Sequence, residues 1–342
     1  MTKNDEILKK AISGSLKIIE QDREKEIVVR RFGLEKDRET LEQIGEMLNI
    51  TRERVRQLEK AIVIRLTIAA EDAEIPELAA AEKIIVRNLV EMGRVAEISK
   101  LAEKIYGRPA TSPEKSGLYF ISTFSKSLTV LDENDRYEPA IAISDYGDER
   151  ALRSRIDEIV NTIKENKSPM TLDELDEKLN YEHPDHIKAL ASISKLLASL
   201  NGFWGLAKWP TVNPKNIRDK IFVVLEMNKT PLHFSEIAER IQNSDFNRKE
   251  VTPQAIHNEL IKDPRFILIG RGIYALDSWG YKKGTIAETI AEVLEKSEKP
   301  LTREEIVRQV LKRRKVKETT ILLNLQNRKL FTKVDKNLFT NA

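Results

Sequence analysis

Arg52, Glu53, Arg54, Arg56, Gln57 and Lys60 fall in one short stretch, TRERVRQLEK (51–60), with Val55 and Leu58 among them. The chemistry these residues offer is recognition. Arginine and glutamine present paired hydrogen-bonding groups that match purine edges in a DNA major groove, and glutamate accepts from the cytosine amino group. Arg54 and Lys60 suit flanking phosphates, which fix orientation without reading sequence. The same composition also suits a solvated, salt-bridged helix face, and spacing alone leaves both readings open. A second candidate set is Arg313, Arg314, Lys315, Lys317, Arg328 and Lys329. It belongs to a segment, 299–333, with eleven lysines or arginines against three glutamates. Such a cluster suits phosphate attraction with strong salt dependence, or again a solvated charge run.

The elements that must position the first set are two short helices around a tight turn. Thr40 and Gln43 have the spacing of a capping box, and Leu41, Ile44, Leu48 and Ile50 supply an apolar face. Asn49 closes the turn. Thr51 then caps a second helix starting at Arg52, with Arg54 in place of the ideal acid. Val55, Leu58 and Ile62 recur at helical spacing and face inward. Arg52, Glu53, Arg56, Gln57 and Lys60 are left to share the exposed side.

The longer stretch REKEIVVRRFGLEKDRETLEQIGEMLNITRERVRQLEKA, within about residues 23–66, resembles region 4 of the sigma-70 family of bacterial transcription initiation factors. RFGL (31–34), TLEQIG (40–45) and TRERVRQLE (51–59) carry the likeness. The resemblance implies recognition of double-stranded promoter DNA near the −35 position and contact with the flap of core RNA polymerase. It implies that Arg52, Glu53 and Gln57 face bases, with Thr40, Arg54, Arg56 and Lys60 at the backbone or groove edge. The chain departs from the family in two ways. AIVIRL (61–66) is apolar where the family carries a basic tail, so it is expected to pack against another part of this protein. Only about twenty residues precede the match, so a free-standing, complete sigma factor is not expected.

Beyond Leu66 the chain repeats itself. RSRIDEIVNTIKENKSPMTLDELDEKL (153–179), IRDKIFVVLEMNKTPLHFSEIAERI (217–241) and TIAETIAEVLEKSEKPLTREEIVRQVL (285–311) each read as an amphipathic helix, a proline turn and a second short helix. Pro169, Pro231 and Pro300 correspond, 62 and 69 residues apart, the size of a small winged-helix unit. Thr171, Phe234-Ser235 and Thr302 lie near the expected N-caps. GFWGLAKWP (202–210) and GIYALDSWG (272–280) place Trp204 opposite Tyr274 and Trp209 opposite Trp279, each read as a turn glycine and a short strand. KLFTKVDKNLF (329–339) predicts a hairpin around Asp335, Lys336 and Asn337. In an earlier, weaker unit, EKIIVRNLVEMG is expected as helix, with YFISTF (119–124) and SLTVL (127–131) as wing strands. PLHFSEIAERI and VTPQAIHNELIKDPRFILIGRGIYALDSWG, within about 214–280, resemble a HARE-type helix-turn-helix domain, a family that includes the delta subunit of bacterial RNA polymerase. That likeness implies an adaptor or nucleic-acid-binding role.

Other residue types narrow the function. The chain has no cysteine, which removes disulfides, thiolate nucleophiles and cysteine metal sites. His183 and His186 have ligand-like spacing, but Pro184 lies between them and no third ligand is convincing. Surface or structural roles account for His233 and His257. The tryptophans suit either base stacking or packing, and their repetition favours packing. Catalytic residues, metal and cofactor are all read as none, so the chain is not expected to be an enzyme. It lacks a signal-like or membrane-spanning apolar run and reads as cytoplasmic, with no membrane partner; its oligomeric state stays open.

The fold expected is mainly α: a sigma region 4-like helix-turn-helix followed by tandem winged-helix-like domains with short β-hairpins. The expected divisions are 1–22 as an N-terminal helix or extension, 23–70, 80–145, 150–212, 214–281 and a basic 283–342. The leading function is a DNA-binding transcription factor of bacterial-type initiation that also contacts RNA polymerase. The alternatives are a non-catalytic, delta-like polymerase adaptor and the DNA-targeting component of a restriction or defence system.

Overall fold

A computed structural model describes residues 3–181, 183–246, 251–281, 284–297, 299–314, 316–335 and 337–342. It is mainly helical with small antiparallel sheets, and it divides into two compact units, Met1–Lys208 and Trp209–Ala342.

The first unit opens with α1 (Lys3–Ile18) and α2 (Asp22–Phe32). Gly33 ends α2 at φ 69°, where a Cβ would sit 2.9 Å from the Arg38 backbone nitrogen. α3 (Leu41–Leu48) starts at the reciprocal Thr40–Gln43 capping box and stops at Asn49, which is left-handed with φ 54°. α4 (Arg52–Glu71) follows, its N-terminus capped by Thr51 Oγ1, which accepts from the Arg54 amide at 3.2 Å. The turn between α3 and α4 presses on Gly45, where a Cβ would stand 2.7 Å from the Ile50 carbonyl.

α4 belongs to two cores. Its Val55 closes a small one with Ile27 and Ile44, all three fully buried. Its Ile62, Leu66 and Ala69 enter a larger one with Leu8 and Ala11 of α1 and Val28 and Phe32 of α2. That larger core is shared with the next module. α5 (Leu78–Glu91), β1 (Val95–Glu97), α6 (Ile98–Tyr106), α7 (Ser112–Phe124), β2 (Leu128–Leu131) and β3 (Ala140–Ile143) form it, with sheet order β1-β3-β2. Ile62 and Leu66 of the apolar 61–66 segment therefore pack within the protein, on a helix that meets α1 and α7, while Ile64 stays exposed.

The stretch 119–124, expected as a strand, is the end of α7. Thr111 and Glu114 form a capping box with Pro113 in the first turn. Leu118, Ile121, Phe120 and Phe124 then bury at helical spacing. Aromatic strand propensity loses to capping and core packing. The second wing strand is β3, in register with β2 from Leu128↔Ile143 to Leu131↔Ala140.

The next module is α8 (Glu149–Asn166), α9 (Leu172–Leu179), α10 (Pro184–Ala191), β4 (Leu197–Leu200) and β5 (Phe203–Leu206). In place of a first strand, Met170 bridges Trp204. The preceding wing docks on this module: Tyr137 bridges Ser194, the Glu138 amide donates to the Ile193 carbonyl at 2.8 Å, and Asp157 accepts from Arg136 and the Tyr137 hydroxyl, both at 2.7 Å.

In the second unit the pattern recurs. α11 (Ile217–Asn228), β6 (Leu232–His233), α12 (Phe234–Gln242), α13 (Pro253–Lys262), β7 (Phe266–Gly270) and β8 (Ile273–Leu276) carry sheet β6-β8-β7. α14 (Ile286–Glu295), β9 (Leu301–Thr302), α15 (Arg303–Leu311), α16 (Glu318–Leu325), β10 (Phe331–Asp335) and β11 (Leu338–Asn341) carry sheet β10-β11-β9. Leu232 pairs with Tyr274 as Met170 does with Trp204, which is why those two aromatics occupy matching places. The N-cap after Pro231 is His233, one residue before the expected Phe234-Ser235, while Thr171 and Thr302 cap as expected. Of the predicted hairpin turn, Lys336 lies outside the described residues.

Candidate nucleic-acid interface

The N-terminal half of α4 projects from the small Ile27–Ile44–Val55 core, and every charged or amide side chain of its first two turns is exposed. Arg52 is 70% exposed and lies 3.7 Å from Glu42 of α3. Arg56 holds both carboxylate oxygens of Glu53, at 2.7 and 2.9 Å. That fork keeps the Glu53 carboxyl below the usual carboxylate range and raises the arginine in turn. Gln57 donates to Glu53 at 3.5 Å and accepts from Arg54 at 3.4 Å. Exposed pairs of this kind contribute little to stability, so the network orders the side chains without locking them. A base edge or phosphate can replace either partner at small cost.

Contacts from α2 hold the helix-turn-helix beneath this face, one on α4 and one on the end of α3. Arg31 of α2 pairs with Glu59 of α4 at 3.1 Å, and Arg23 donates to the Leu48 carbonyl at 2.7 Å. Composition does not single out either arginine, because each depends on a partner in another helix. Lys60 is exposed on the same half of α4. The Thr40 hydroxyl, assigned from sequence to the groove edge, accepts the Gln43 amide at 3.2 Å and so serves first as a cap.

Of the second candidate set, Arg314 turns inward. Arg314 is buried, with 5% exposure, and donates to the carbonyls of Leu268, at 3.0 Å, and Gly284. It ties β7 to the start of the following module, so it is withdrawn from any phosphate. Burial also pushes its guanidinium pKa down. Arg313 has one buried terminal nitrogen, Lys315 lies outside the described residues, and Lys317, Arg328 and Lys329 are exposed.

The histidines have structural work. His183 caps α10, accepting from the Asp185 amide at 3.2 Å, and His233 caps α12, accepting from the Ser235 amide at 3.3 Å. His186 meets the Tyr146 ring edge-on, and His257 packs between Phe234 and Tyr274. Trp204 is buried and Trp279 packs partly buried on the core of its module, which is the packing role expected of them.

Among known families, a model described as sigma-70, region 4 matches residues 21–66. The matched residues are α2, the α3–α4 helix-turn-helix and α4 as far as Leu66, the segment just described. The match supports a sigma region 4 helix-turn-helix over these residues, and DNA binding of the kind used in sigma-type transcription. No curated protein matches the chain. No helix among the described residues is long and apolar enough to cross a membrane.

Proposed function

We propose that the chain is a transcription factor of the bacterial initiation system that reads promoter-like duplex DNA with the N-terminal half of α4. Arg52, Glu53 and Gln57 face base edges, and Arg54, Arg56 and Lys60 hold the backbone beside them. The observation that supports this most is the division of α4 itself. Its exposed, hydrogen-bonding first half is fixed by a second half whose Ile62 and Leu66 are fully buried. A helix anchored far from its tip can enter a groove without losing order, which keeps the entropic cost of binding low. Core RNA polymerase is the proposed protein partner, following the family likeness. The 214–280 module, similar to HARE-type domains, is proposed as an adaptor.

The test is fluorescence anisotropy on a promoter-like duplex and its scrambled counterpart at near-physiological salt. Arg52→Ala with Gln57→Ala should bring the two affinities together. Equal affinities for the unaltered chain would defeat the reading.

A second reading has its own observation. Ile64, within the 61–66 stretch where the family carries a basic tail, is 51% exposed, and Ile68, one turn further along α4, is 53% exposed. An adaptor that docks this helix on polymerase would use them. Polymerase capture that survives neutralisation of Arg52, Arg54 and Arg56, but not Ile64→Asp, favours the adaptor.

A further inference from the structure

The last module carries a groove of about 680 Å³ between α16 and the β10–β11 hairpin. Its floor is apolar: Leu325, Phe331 and Phe339 are buried there. Its rim is basic, with Arg303, Arg328 and Lys333 all exposed. Among the described residues no carboxylate lines it, and none of the three rim cations is in an ion pair. The adjacent Glu304 is held by the Asn337 side chain at 3.1 and 3.3 Å.

We infer that this groove is a docking site for a linear segment of a partner protein, one that combines acidic residues with a bulky apolar side chain. The charge balance of the rim calls for an acidic occupant, because unpaired cations of one sign steer and orient opposite charge. The surroundings decide between protein and nucleic acid. A winged module that reads duplex DNA presents a polar or cationic third helix, but α16 has the sequence ETTILLNL, with no cation. Leu323 on that helix is 67% exposed, and Leu330 and Val334 on the hairpin side are also exposed. These three lie outside the groove lining, but exposed apolar side chains on the same helix and hairpin gain by covering other apolar side chains, which phosphates do not supply. Stacking of a single strand needs an open aromatic face, and Phe331 and Phe339 are too buried to offer one. The concave volume suits a large side chain with its neighbours.

Arg314 itself is withdrawn into the body of the unit, while Arg308, Lys312, Lys317 and Lys329 stay exposed outside the groove lining.

The experiment uses the full chain, immobilised and panned with a display library of short random peptides. Counter-selection is on the Arg328→Glu, Lys333→Glu double variant, with Arg303→Glu as a second variant should the double one lose its far-UV helical signal. Enriched peptides should combine acidic residues with a bulky apolar one. They should bind at least about tenfold more weakly to the charge-reversed chain, and weakly also to Leu323→Asp. Replacing the peptide acids by lysine should restore binding to the reversed chain and abolish it on the original. No enrichment over the counter-selected variant overturns the inference, as does enrichment of acid-free peptides. Displacement of the peptides by a single-stranded oligonucleotide pool assigns the groove to nucleic acid instead. A sedimentation dimer broken by the same charge reversals assigns it to a second copy of the chain.

Discussion

At the scale of residues, Arg52 and Gln57 are the side chains on which the proposed base reading rests. A good bidentate contact discriminates by about 1–3 kcal/mol, so Arg52→Ala should cost roughly ten- to a hundredfold in specific affinity while nonspecific affinity falls far less. Competition binding with specific and scrambled duplexes measures the ratio. Glu53→Ala should act in the opposite sense on nonspecific binding, because it frees the Arg56 guanidinium that Glu53 now holds at 2.7 Å. Nonspecific affinity should rise and selection at one base position should relax. Arg314 makes a contrasting prediction. Arg314→Ala removes the donor from two carbonyls, and leaving such groups unpartnered costs about 1–3 kcal/mol each. Chemical denaturation should show that loss, with duplex affinity unchanged. Thr40, Gln43, Asn49 and Thr51 are legible in sequence because caps and turns obey rules that span only a few residues. Arg314 is not, because its partners Leu268 and Gly284 lie 46 and 30 positions away and only the fold brings them to it.

At the scale of elements, α4 is two devices on one axis, and its two ends should respond differently to substitution. Ile62→Ala removes a fully buried side chain from the larger core and should destabilise the first unit by about 2–5 kcal/mol. Ile64→Ala, at a position 51% exposed, should stay within about 0.5 kcal/mol. Denaturation midpoints of the two variants test the anchoring directly. The apolar character of 61–66 is legible in sequence and holds in part: Ile62 and Leu66 bury, whereas Ile64 does not. The strand expected over 119–124 does not form: Phe and Tyr favour strands in isolation, while the Thr111–Glu114 box upstream starts a helix that runs through them. That box also predicts a pH dependence. Arg108 beside Glu114 holds its carboxyl at about 2, below its ordinary 4.5. A depressed carboxylate contributes stability that is full above its unfolded pKa and is lost as pH falls toward the folded one. Stability should therefore fall between pH 4.5 and 2. Glu114→Gln should flatten that limb, with a loss at neutral pH of about 1 kcal/mol, the size of a cap.

At the scale of the whole molecule, one pattern of helix, short strand, two helices and hairpin accounts for most of the chain beyond α4. It was visible as spaced prolines and paired wing aromatics, because each module must bury the same faces. The docking of the first wing on the following module through Tyr137 and Ser194 was not visible, since it depends on two surfaces with no shared sequence signal. The exposed polar face of α4 lies within the sigma-70 region 4 match. If Arg54, Arg56 and Lys60 supply the backbone contacts, the logarithm of affinity should fall with the logarithm of salt at a slope of about −3, roughly 0.9 per contact. The measurement that bears most directly on the account is selection of a randomised duplex pool by the full chain, with and without core RNA polymerase, at near-physiological salt. The account predicts a short shared motif that disappears when Arg52→Ala is combined with Gln57→Ala. A pool with no shared motif, or a motif indifferent to that double substitution, would contradict it.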